Sequence, residues 1–154
     1  MRVRAIIPVH NRRELTLACL RQLARAERGG VELHVMVVDD GSVDGTTEAI
    51  AAQFPEVDVI QGDGNLWWTG AIKRGLEATL RHDCDYVLLL NDDLELANDF
   101  LSELAKVARR HPSGLVSSIK LRRRTDGTEE ILAGGFHLVG RLHEVRNSLQ
   151  GNPY

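Results

Sequence analysis

Two pairs of acidic residues stand out in this sequence because each pair closes a short apolar run. The pairs are Asp39-Asp40 and Asp92-Asp93, the second preceded by Asn91. An ionised carboxylate is very costly to bury without a partner, so these side chains are expected to face water, a cation or a polar ligand. Carboxylate oxygens suit Mg²⁺ or Mn²⁺, which leave coordination positions for the phosphates of a substrate. The two pairs therefore predict a site for a divalent cation and a polar ligand.

Helix capping is the alternative explanation of an acidic pair. A carboxylate in the first turn of a helix gains about 0.3–1 kcal/mol from the helix dipole, and that explanation suffices for a single pair. Asn11, after the first apolar run, is a candidate N-cap of the helix that follows it. Ser42 or Asp44, after the second apolar run, is a candidate N-cap of the next helix. Two acidic pairs at equivalent positions favour a site over capping alone.

The elements that must position these acids alternate between apolar strands and amphipathic helices. Strands are predicted over residues 3–9, 32–38, 57–60, 86–90 and 115–121. The fourth is uniformly apolar and is predicted to be buried on both faces, while Pro8 should end the first strand or place it at a sheet edge. This order predicts an α/β fold with a Rossmann-like, mostly parallel sheet and helices on both faces. The carboxyl ends of its strands would share the edge where ligands bind.

The pattern weakens after residue 121. Residues 131–133 and 136–139 are weak strand candidates, and residues 141–154 are predicted to be a frayed tail because polar residues dominate there. The sequence has no internal repeat and no linker, so residues 1–154 are interpreted as a single domain.

Length, charge and cysteine usage argue against several classes of protein. The 154 residues suffice for one domain with a core, and a net charge of −3 is not typical of a nucleic-acid-binding protein. No apolar run approaches the roughly 18 residues of a membrane-spanning helix. Cys19 and Cys84 have no CxxC spacing. They predict reduced thiols and a cytoplasmic protein, with any envelope role exercised at the inner face of the membrane.

A glycine-rich loop over residues 61–69 contains both tryptophans of the chain, Trp67 and Trp68. Glycine leaves room for a ligand to approach the backbone, and an indole ring can stack on a base or a sugar. The alternative is that a tryptophan anchors the core, and we expect this of at least one of the two. The sequence has no GxGxxG after the first strand, no P-loop motif and no GxSxG, which argues against dinucleotide, P-loop and α/β-hydrolase sites.

Several sequence blocks, in order and in spacing, resemble the inverting family-2 glycosyltransferases with a GT-A fold. Residues 6–12 are similar to the family's first strand and its Pro-x-x-Asn turn, and residues 37–46 nearly match its nucleotide-binding Asp-Asp-Gly-Ser-x-Asp-Gly-Thr. Residues 64–75 are similar to its Asn-x-Gly…Ala-x-Asn-x-Gly segment, with Lys73 in place of an asparagine. Residues 91–93 take the place of the metal-binding Asp-x-Asp, with asparagine first.

The resemblance implies a nucleotide-diphosphate sugar donor, carrying uracil or thymine, and an inverting transfer to a hydroxyl of a saccharide or lipid-linked acceptor. Asp40 would accept a hydrogen bond from the imide of the base. Mg²⁺ or Mn²⁺ would stabilise the leaving diphosphate. The implied nucleotide-binding residues are Pro8, Val9, His10, Asn11, Asp39, Asp40, Gly41, Gly70, Lys73 and Asp92. The implied metal ligands are Asp93 and Asp92.

The general base has no counterpart in this sequence. In the family it comes from the second half of the domain, whereas Glu129, Glu130 and Glu144 are predicted to be surface residues. The chain is therefore interpreted as the N-terminal, donor-binding half, truncated after the Asp-x-Asp region, which binds nucleotide with a metal and transfers sugar poorly or not at all. Loss of half the cover of the sheet would expose apolar surface, which predicts a homo-oligomer.

Two alternatives to an active transferase remain open at this point. A nucleotidyltransferase shares the sheet and the paired acids, but it needs a glycine- and arginine-rich loop after the first strand. Residues 10–13, His-Asn-Arg-Arg, are not such a loop. A binding or regulatory module that has kept the fold and lost catalysis agrees with the missing base. A role in bacterial cell-surface polysaccharide synthesis is implied at the level of the family alone.

Overall fold

The computed structural model describes residues 1–112, 114–118, 120–133, 136–138 and 145–147. The chain divides into two compact units, Met1–Asp99 and Phe100–Tyr154. The elements of the first unit are, in order, β1 (Arg2–Val9), α1 (Arg13–Arg25), β2 (Glu32–Asp39), α2 (Thr46–Gln53), β3 (Asp58–Gln61), α3 (Trp67–Thr79) and β4 (Tyr86–Leu89). Among the described residues, no helix is both long enough and apolar enough to cross a lipid bilayer.

The first unit is a parallel sheet with helices on both of its faces. Its strand order is β3-β2-β1-β4, with all three pairings parallel. The connections through α1 and α2 lead from β1 to β2 and from β2 to β3, in one direction along the sheet. The connection through α3 leads from β3 to β4, in the opposite direction. Because such crossovers are right-handed, α3 lies on the opposite face of the sheet from α1 and α2. The predicted α/β fold is confirmed.

The core lies on both faces of β1, the central strand. Successive residues of a strand point to opposite faces, and Ile6 and Ile7 are both fully buried. Ile6 packs with Val38 of β2 and with Ala71 and Ile72 of α3. Helix α1 buries a stripe that recurs every three or four residues: Thr16, Leu17, Cys19, Leu20 and Leu23.

Two expectations about strand position are wrong. Pro8 lies inside β1, which is a central strand. Even-numbered residues of β1 turn their backbone groups towards β4, as the Leu90 N–H shows by donating to the Ile6 carbonyl at 3.1 Å. The β1–β4 ladder stops at Ile6. No strand therefore lies opposite Pro8 on this side, and the missing N–H of the proline costs no ladder hydrogen bond. In the sheet of the described residues β4 is an edge strand, so it is half-buried instead of covered on both faces.

The described residues of the second unit form a helix and two antiparallel strand pairs. They are α4 (Phe100–Arg110), β5 (Lys120–Arg123), β6 (Glu129–Ala133), β7 (Phe136–Leu138) and β8 (Val145–Asn147), with β5 paired to β6 and β7 to β8. The strand predicted over residues 115–121 is wrong, because residues 115–118 form no strand and the strand begins at Lys120, where it pairs with β6 in a hairpin. The predicted tail over residues 141–154 lies outside the described residues except for β8. The single domain over residues 1–154 stays a prediction.

Candidate functional site

A pocket of about 320 Å³ opens at the carboxyl ends of β1 and β2, where the sequence predicts a ligand. Loops after β1 and β3 and the first turns of α3 form its walls. The lining residues are Pro8, Val9, His10, Arg12, Asp40, Gly64, Trp67, Trp68 and Ala71. Four of these, Pro8, Val9, His10 and Asp40, belong to the predicted nucleotide site.

Asp40 organises the wall of this pocket with its carboxylate. Its Oδ1 accepts the N–H of Gly64, and its Oδ2 accepts the N–H groups of Leu66 and Trp67, all at 2.9 Å. The residue is 5% exposed, and two of the bound N–H groups, those of Leu66 and Trp67, lie at the start of α3. The carboxylate of Asp40, directly after β2, therefore binds the N-terminal N–H groups of α3, whose own N-cap residue makes no side-chain capping bond.

The charge of Asp40 is stabilised by these contacts. Burial raises the pKa of the Asp40 carboxyl, but the hydrogen bonds from Trp67, Leu66 and Gly64, together with the nearby His10, outweigh burial and hold that pKa below its ordinary value. The His10 Nδ1 donates to the backbone carbonyl of Asp40 at 2.5 Å. Asp40 is thus an anion that the N–H groups of the pocket wall stabilise.

Asp39 lies behind the pocket wall and is fully buried. Its Oδ1 accepts the N–H of Ser42 at 2.9 Å, and its Oδ2 accepts the hydroxyl proton of Thr47 in α2. The turn at Gly41 has φ +70°, and a Cβ there would lie 3.0 Å from the Gly64 nitrogen. Asp39 therefore fixes the turn, and Gly41 lets the loop after β3 approach it.

The expected helix caps are not the ones that the structure shows. The N-cap of α1 is Arg12 and that of α2 is Gly45, and neither has a side-chain capping bond. Asn11, with φ +52°, instead joins the loops after β1 and β2. Its N–H donates to Ser42 Oγ, and its Oδ1 accepts the Val43 N–H, both at 2.8 Å. Asn11 and Ser42 do not cap helices, because these side chains find partners across the sheet edge, whereas Asp44 accepts an N–H in the first turn of α2.

Asp44 also connects these two loops. Its Oδ2 accepts the Arg13 N–H at 3.0 Å, and its Oδ1 accepts the N–H of Thr46, the first residue of α2, at 3.1 Å. It therefore satisfies a helix N–H from one position before the N-cap. The loops after β1 and β2 form one hydrogen-bonded framework at the edge of the sheet.

Asp92 and Asp93 follow β4 and meet the same framework through Arg12. The Arg12 Nε lies 3.3 Å from Asp92 Oδ1, and its Nη2 lies 3.2 Å from Asp93 Oδ2. Thr16 Oγ1 lies 3.0 Å from the other Asp92 oxygen. Burial raises the pKa of Asp92 and the adjacent Asp93 adds to it, while the Thr16 hydrogen bond and the Arg12 charge act in the opposite direction.

The two tryptophans are both at the surface beside the pocket. Trp67 is 81% exposed and Trp68 is 54% exposed, so the expectation that one of them anchors the core is wrong. Trp68 Nε1 donates to Asn91 Oδ1 at 2.9 Å. This bond ties the start of α3 to the end of β4 and leaves both indole rings beside the pocket that they line.

The remaining predicted residues lie outside the pocket lining. Gly70 is in α3, where a Cβ would lie 3.2 Å from Leu66 Cβ. Lys73 is exposed on α3 and pairs with Glu77 at 3.9 Å. Arg12 lines the pocket but was not predicted, because nothing in a loop of four consecutive polar residues tells which side chain turns towards the acids.

The acid pair after β4 is the candidate metal centre. Among the described residues, no group of three or more His, Cys, Asp and Glu side chains converges in a metal-binding arrangement. Magnesium and manganese need fewer protein ligands, since one or two carboxylates with waters and substrate phosphates suffice. One oxygen of Asp92 and one of Asp93 already converge on a single positive group, the guanidinium of Arg12. The donor set therefore fits such a cation.

Comparison with known proteins agrees with this geometry. A family model described as Glycosyl transferase family 2 matches residues 5–151. An N-acetylglucosaminyltransferase of Rhizobium sp. (strain N33) is 38% identical over 111 residues, which make up 68% of this chain and 23% of the relative. The chain thus spans about a quarter of that protein's length.

Solved structures show the same fold. The mannosyltransferase PcManGT from Pyrobaculum calidifontis, in complex with GDP-Man and Mn²⁺, has a TM-score of 0.59 at 24% identity, covering 69% of this chain and 32% of that one. The 1–349 portion of TarS from S. aureus, in complex with UDP, has a TM-score of 0.59 at 24% identity, covering 72% and 33%. These likenesses confirm the GT-A-type fold that the sequence predicts.

Proposed function

Because the chain belongs to glycosyl transferase family 2, we propose that its pocket binds the nucleotide diphosphate of a sugar donor and that the whole protein transfers the sugar to an acceptor hydroxyl. One observation carries this proposal. The pocket brings Pro8, Val9 and His10 together with the buried anion of Asp40 at the carboxyl edge of a parallel sheet. That edge is where parallel α/β sheets bind ligands.

The base of the nucleotide is proposed to lie against Pro8, Val9 and His10. An ionised carboxylate offers about four acceptor sites, and the three N–H groups from the loop after β3 use three of those on Asp40. The remaining site, on Oδ1, can accept the imide N–H of uracil or thymine. Asp39, Asn11 and Gly41 support this arrangement from behind by holding the turns.

The diphosphate is proposed to lie between this base site and the acids after β4. Asp93, which is partly exposed, and Asp92 would hold Mg²⁺ or Mn²⁺ there. Such an ion, when bound, stabilises the negative charge that develops on the leaving diphosphate. Displacement with inversion at the anomeric carbon is part of the same proposal, as are a saccharide or lipid-linked acceptor and a cytoplasmic setting.

The general base is not assigned to any described residue. Glu129 and Glu130 lie in the β5–β6 hairpin, where they pair with Arg123 and Arg124 at 3.4 and 3.1 Å. An acid held by an arginine in a surface hairpin is poorly suited to remove a proton from an acceptor. Glu144 lies outside the described residues. Nucleotide binding, with or without transfer, is therefore the activity that this chain is proposed to perform by itself.

Calorimetric titration tests this proposal. UDP, dTDP and GDP are titrated with and without Mn²⁺ into the wild type, Asp93→Ala and, as the matched control, Glu95→Ala, which removes an exposed acid two residues away. We expect at least one nucleotide to bind, with an affinity that rises with Mn²⁺ in the wild type and in the control but not in Asp93→Ala. Failure of all three nucleotides to bind would overturn the donor site.

Turnover is measured separately. Slow, metal-dependent release of nucleotide diphosphate from a sugar donor would show that the chain retains transferase chemistry, with water as the acceptor. Binding without release would show a nucleotide-sugar-binding module instead. The nucleotidyltransferase alternative has no support, since the matching family is one of glycosyltransferases.

A further inference from the structure

Arg12 connects the two parts of the proposed site. Its guanidinium contacts Asp92 through Nε and Asp93 through Nη2, at 3.3 and 3.2 Å. The same side chain lines the pocket that contains Asp40. It is 39% exposed, so it lies at the boundary between the buried acid and the open pocket.

The position of Arg12 is fixed by its neighbours. Asn11, the preceding residue, is held by hydrogen bonds to Ser42 and Val43. One helical turn later, Thr16 Oγ1 lies 3.0 Å both from the Arg12 carbonyl and from Asp92 Oδ2. The backbone of Arg12 is therefore held on both sides, and its side chain reaches the acids from a defined origin.

The acids need a positive charge at this point. The Asp92 side chain is only 2% exposed and the acid beside it carries the same charge. A buried carboxylate that loses its partner is strongly destabilising. The planar guanidinium can donate to both acids at once, which a lysine ammonium does less well. Arg12 thus supplies the charge that a divalent cation would supply.

We propose that Arg12 holds the place of the divalent cation on Asp92 and Asp93, and that it releases Asp93 when the cation binds. This inference rests on the metal site of the proposed function. The two contacts of Arg12 differ in a way that decides which one yields. Asp93 is 44% exposed, and exposed ion pairs contribute little because water screens them. Asp92 is buried and stays in contact with a positive charge in both states, either the guanidinium or the cation.

Competition of this kind has a direct consequence for metal affinity. A side chain that must leave before a ligand binds lowers the apparent affinity, because the free protein is stabilised without the ligand. Removing the guanidinium should therefore tighten metal binding. A residue that merely positions the acids would have the opposite effect when removed, so the direction of the change separates the two roles.

The test is Mn²⁺ binding without nucleotide, followed by the electron paramagnetic resonance signal of free Mn²⁺. The variants are Arg12→Gln and, as the matched control, Arg13→Gln, which removes an equal charge whose guanidinium pairs with exposed Glu14 at 3.7 Å. We expect Arg12→Gln to bind Mn²⁺ about fivefold more tightly than the wild type, as expected for loss of one exposed ion pair. Arg13→Gln should stay within about twofold, and Asp93→Asn should bind weakly.

Several results would overturn the inference. If Arg12→Gln binds as weakly as Asp93→Asn, Arg12 orders the acids and does not compete. If Arg12→Gln and Arg13→Gln change the affinity equally, net charge alone is responsible. Circular dichroism checks that each variant is folded. Should Arg12→Gln fail to fold, Arg12→Lys is used instead, because it keeps a positive charge that contacts both acids less well than a guanidinium does. It must then bind Mn²⁺ more tightly than the wild type, and equal or weaker binding contradicts the competition.

The test of the Arg12 competition and the test of the donor site can fail independently of each other. Mn²⁺-dependent nucleotide binding with an unchanged Arg12→Gln affinity rejects the competition alone. Tighter Mn²⁺ binding by Arg12→Gln in a protein that binds no nucleotide rejects the donor site alone. If no variant binds Mn²⁺, both the metal site and the competition are rejected.

Discussion

At the scale of single residues, Asp40 shows how one carboxylate can serve both the fold and the site. Its oxygens accept three N–H groups from a loop more than twenty residues later in the chain. These bonds build the pocket wall and hold the start of α3, and they leave one acceptor site of the carboxylate unused. The same residue should therefore control stability and nucleotide binding, and the two effects can be measured separately.

Replacing Asp40 by asparagine should destabilise the chain by about 2–4 kcal/mol at neutral pH, because hydrogen bonds to a charged acceptor are lost and an amide NH₂ now faces a backbone N–H. The lowered pKa of Asp40 fixes the pH dependence. Its stabilising contribution is full above the unfolded-state value of about 3.9 and is lost as the pH falls through the lower folded-state pKa. Urea unfolding at neutral and acidic pH measures both effects.

Asp63→Asn is the matched control for this prediction, since Asp63 is an exposed acid in the same loop and accepts the Asn65 N–H at 3.0 Å. It should change the free energy of unfolding by no more than about 0.5 kcal/mol. If Asp40→Asn is as stable as this control, or if it keeps the wild-type loss of stability in acid, Asp40 does not anchor the loop.

Cys19 allows a second prediction at this scale. Burial, followed by the charges of Asp92 and Asp93, raises the pKa of its thiol to about 12. The thiolate is the reactive form, so Cys19 should not react with a disulfide reagent such as DTNB at mildly alkaline pH. Cys84 is partly exposed and should react. We expect one fast thiol per native chain and two after denaturation. Two fast thiols in the native chain would contradict the burial of Cys19 next to the acids.

At the scale of elements, α3 depends on its closeness to β1 and β2. A Cβ at Gly75 would lie 2.5 Å from Ile6 Cγ2 and 3.3 Å from Val38 Cγ2. Both side chains are fully buried, and close-packed interiors yield little to an added methyl group. The glycine therefore sets the distance at which the helix packs on the sheet, and that distance places Trp67 and Trp68 beside the pocket.

Gly75→Ala should lower the free energy of unfolding by about 1–3 kcal/mol, as overpacking does, even though alanine favours a helix over glycine by about 1 kcal/mol. Lys73→Ala, on the exposed face of the same helix, should change it by at most about 0.5 kcal/mol. Chemical denaturation monitored by tryptophan fluorescence measures both variants. A stabilised Gly75→Ala protein would show that α3 can move away from the sheet.

The elements that could be predicted from the sequence are those with a local signal. Alternating apolar strands and amphipathic helices identified β1 to β4, and the chemistry of Asp-Asp pairs located the edge of the sheet. The partners of those acids could not be predicted. Arg12 meets Asp92 across 80 positions of sequence, and Asp40 caps a helix that is not its own. Pro8 in a central strand likewise depends on where β4 stops pairing.

At the scale of the whole molecule, β4 is one of the two edge strands of the sheet that the described residues form. In the sheet formed by the described residues, β4 has a neighbour on one side only. A second chain can add a strand to a sheet at an edge strand. Leu89 of β4 is 46% exposed, as is expected of an uncovered strand. We therefore propose that copies of this chain associate through β4.

Leu89→Lys should abolish this association, because a lysine on an edge strand opposes pairing with a second strand. Val43→Lys is the matched control: it adds the same charge at a side chain that is 90% exposed but lies in the loop after β2. Size-exclusion chromatography with light scattering over a concentration series measures the mass. The wild type and Val43→Lys should exceed the monomer mass of 17.1 kDa as concentration rises, whereas Leu89→Lys should remain at it. A wild type that is monomeric throughout, or a Leu89→Lys variant that associates equally, would show that the β4 edge is not the contact.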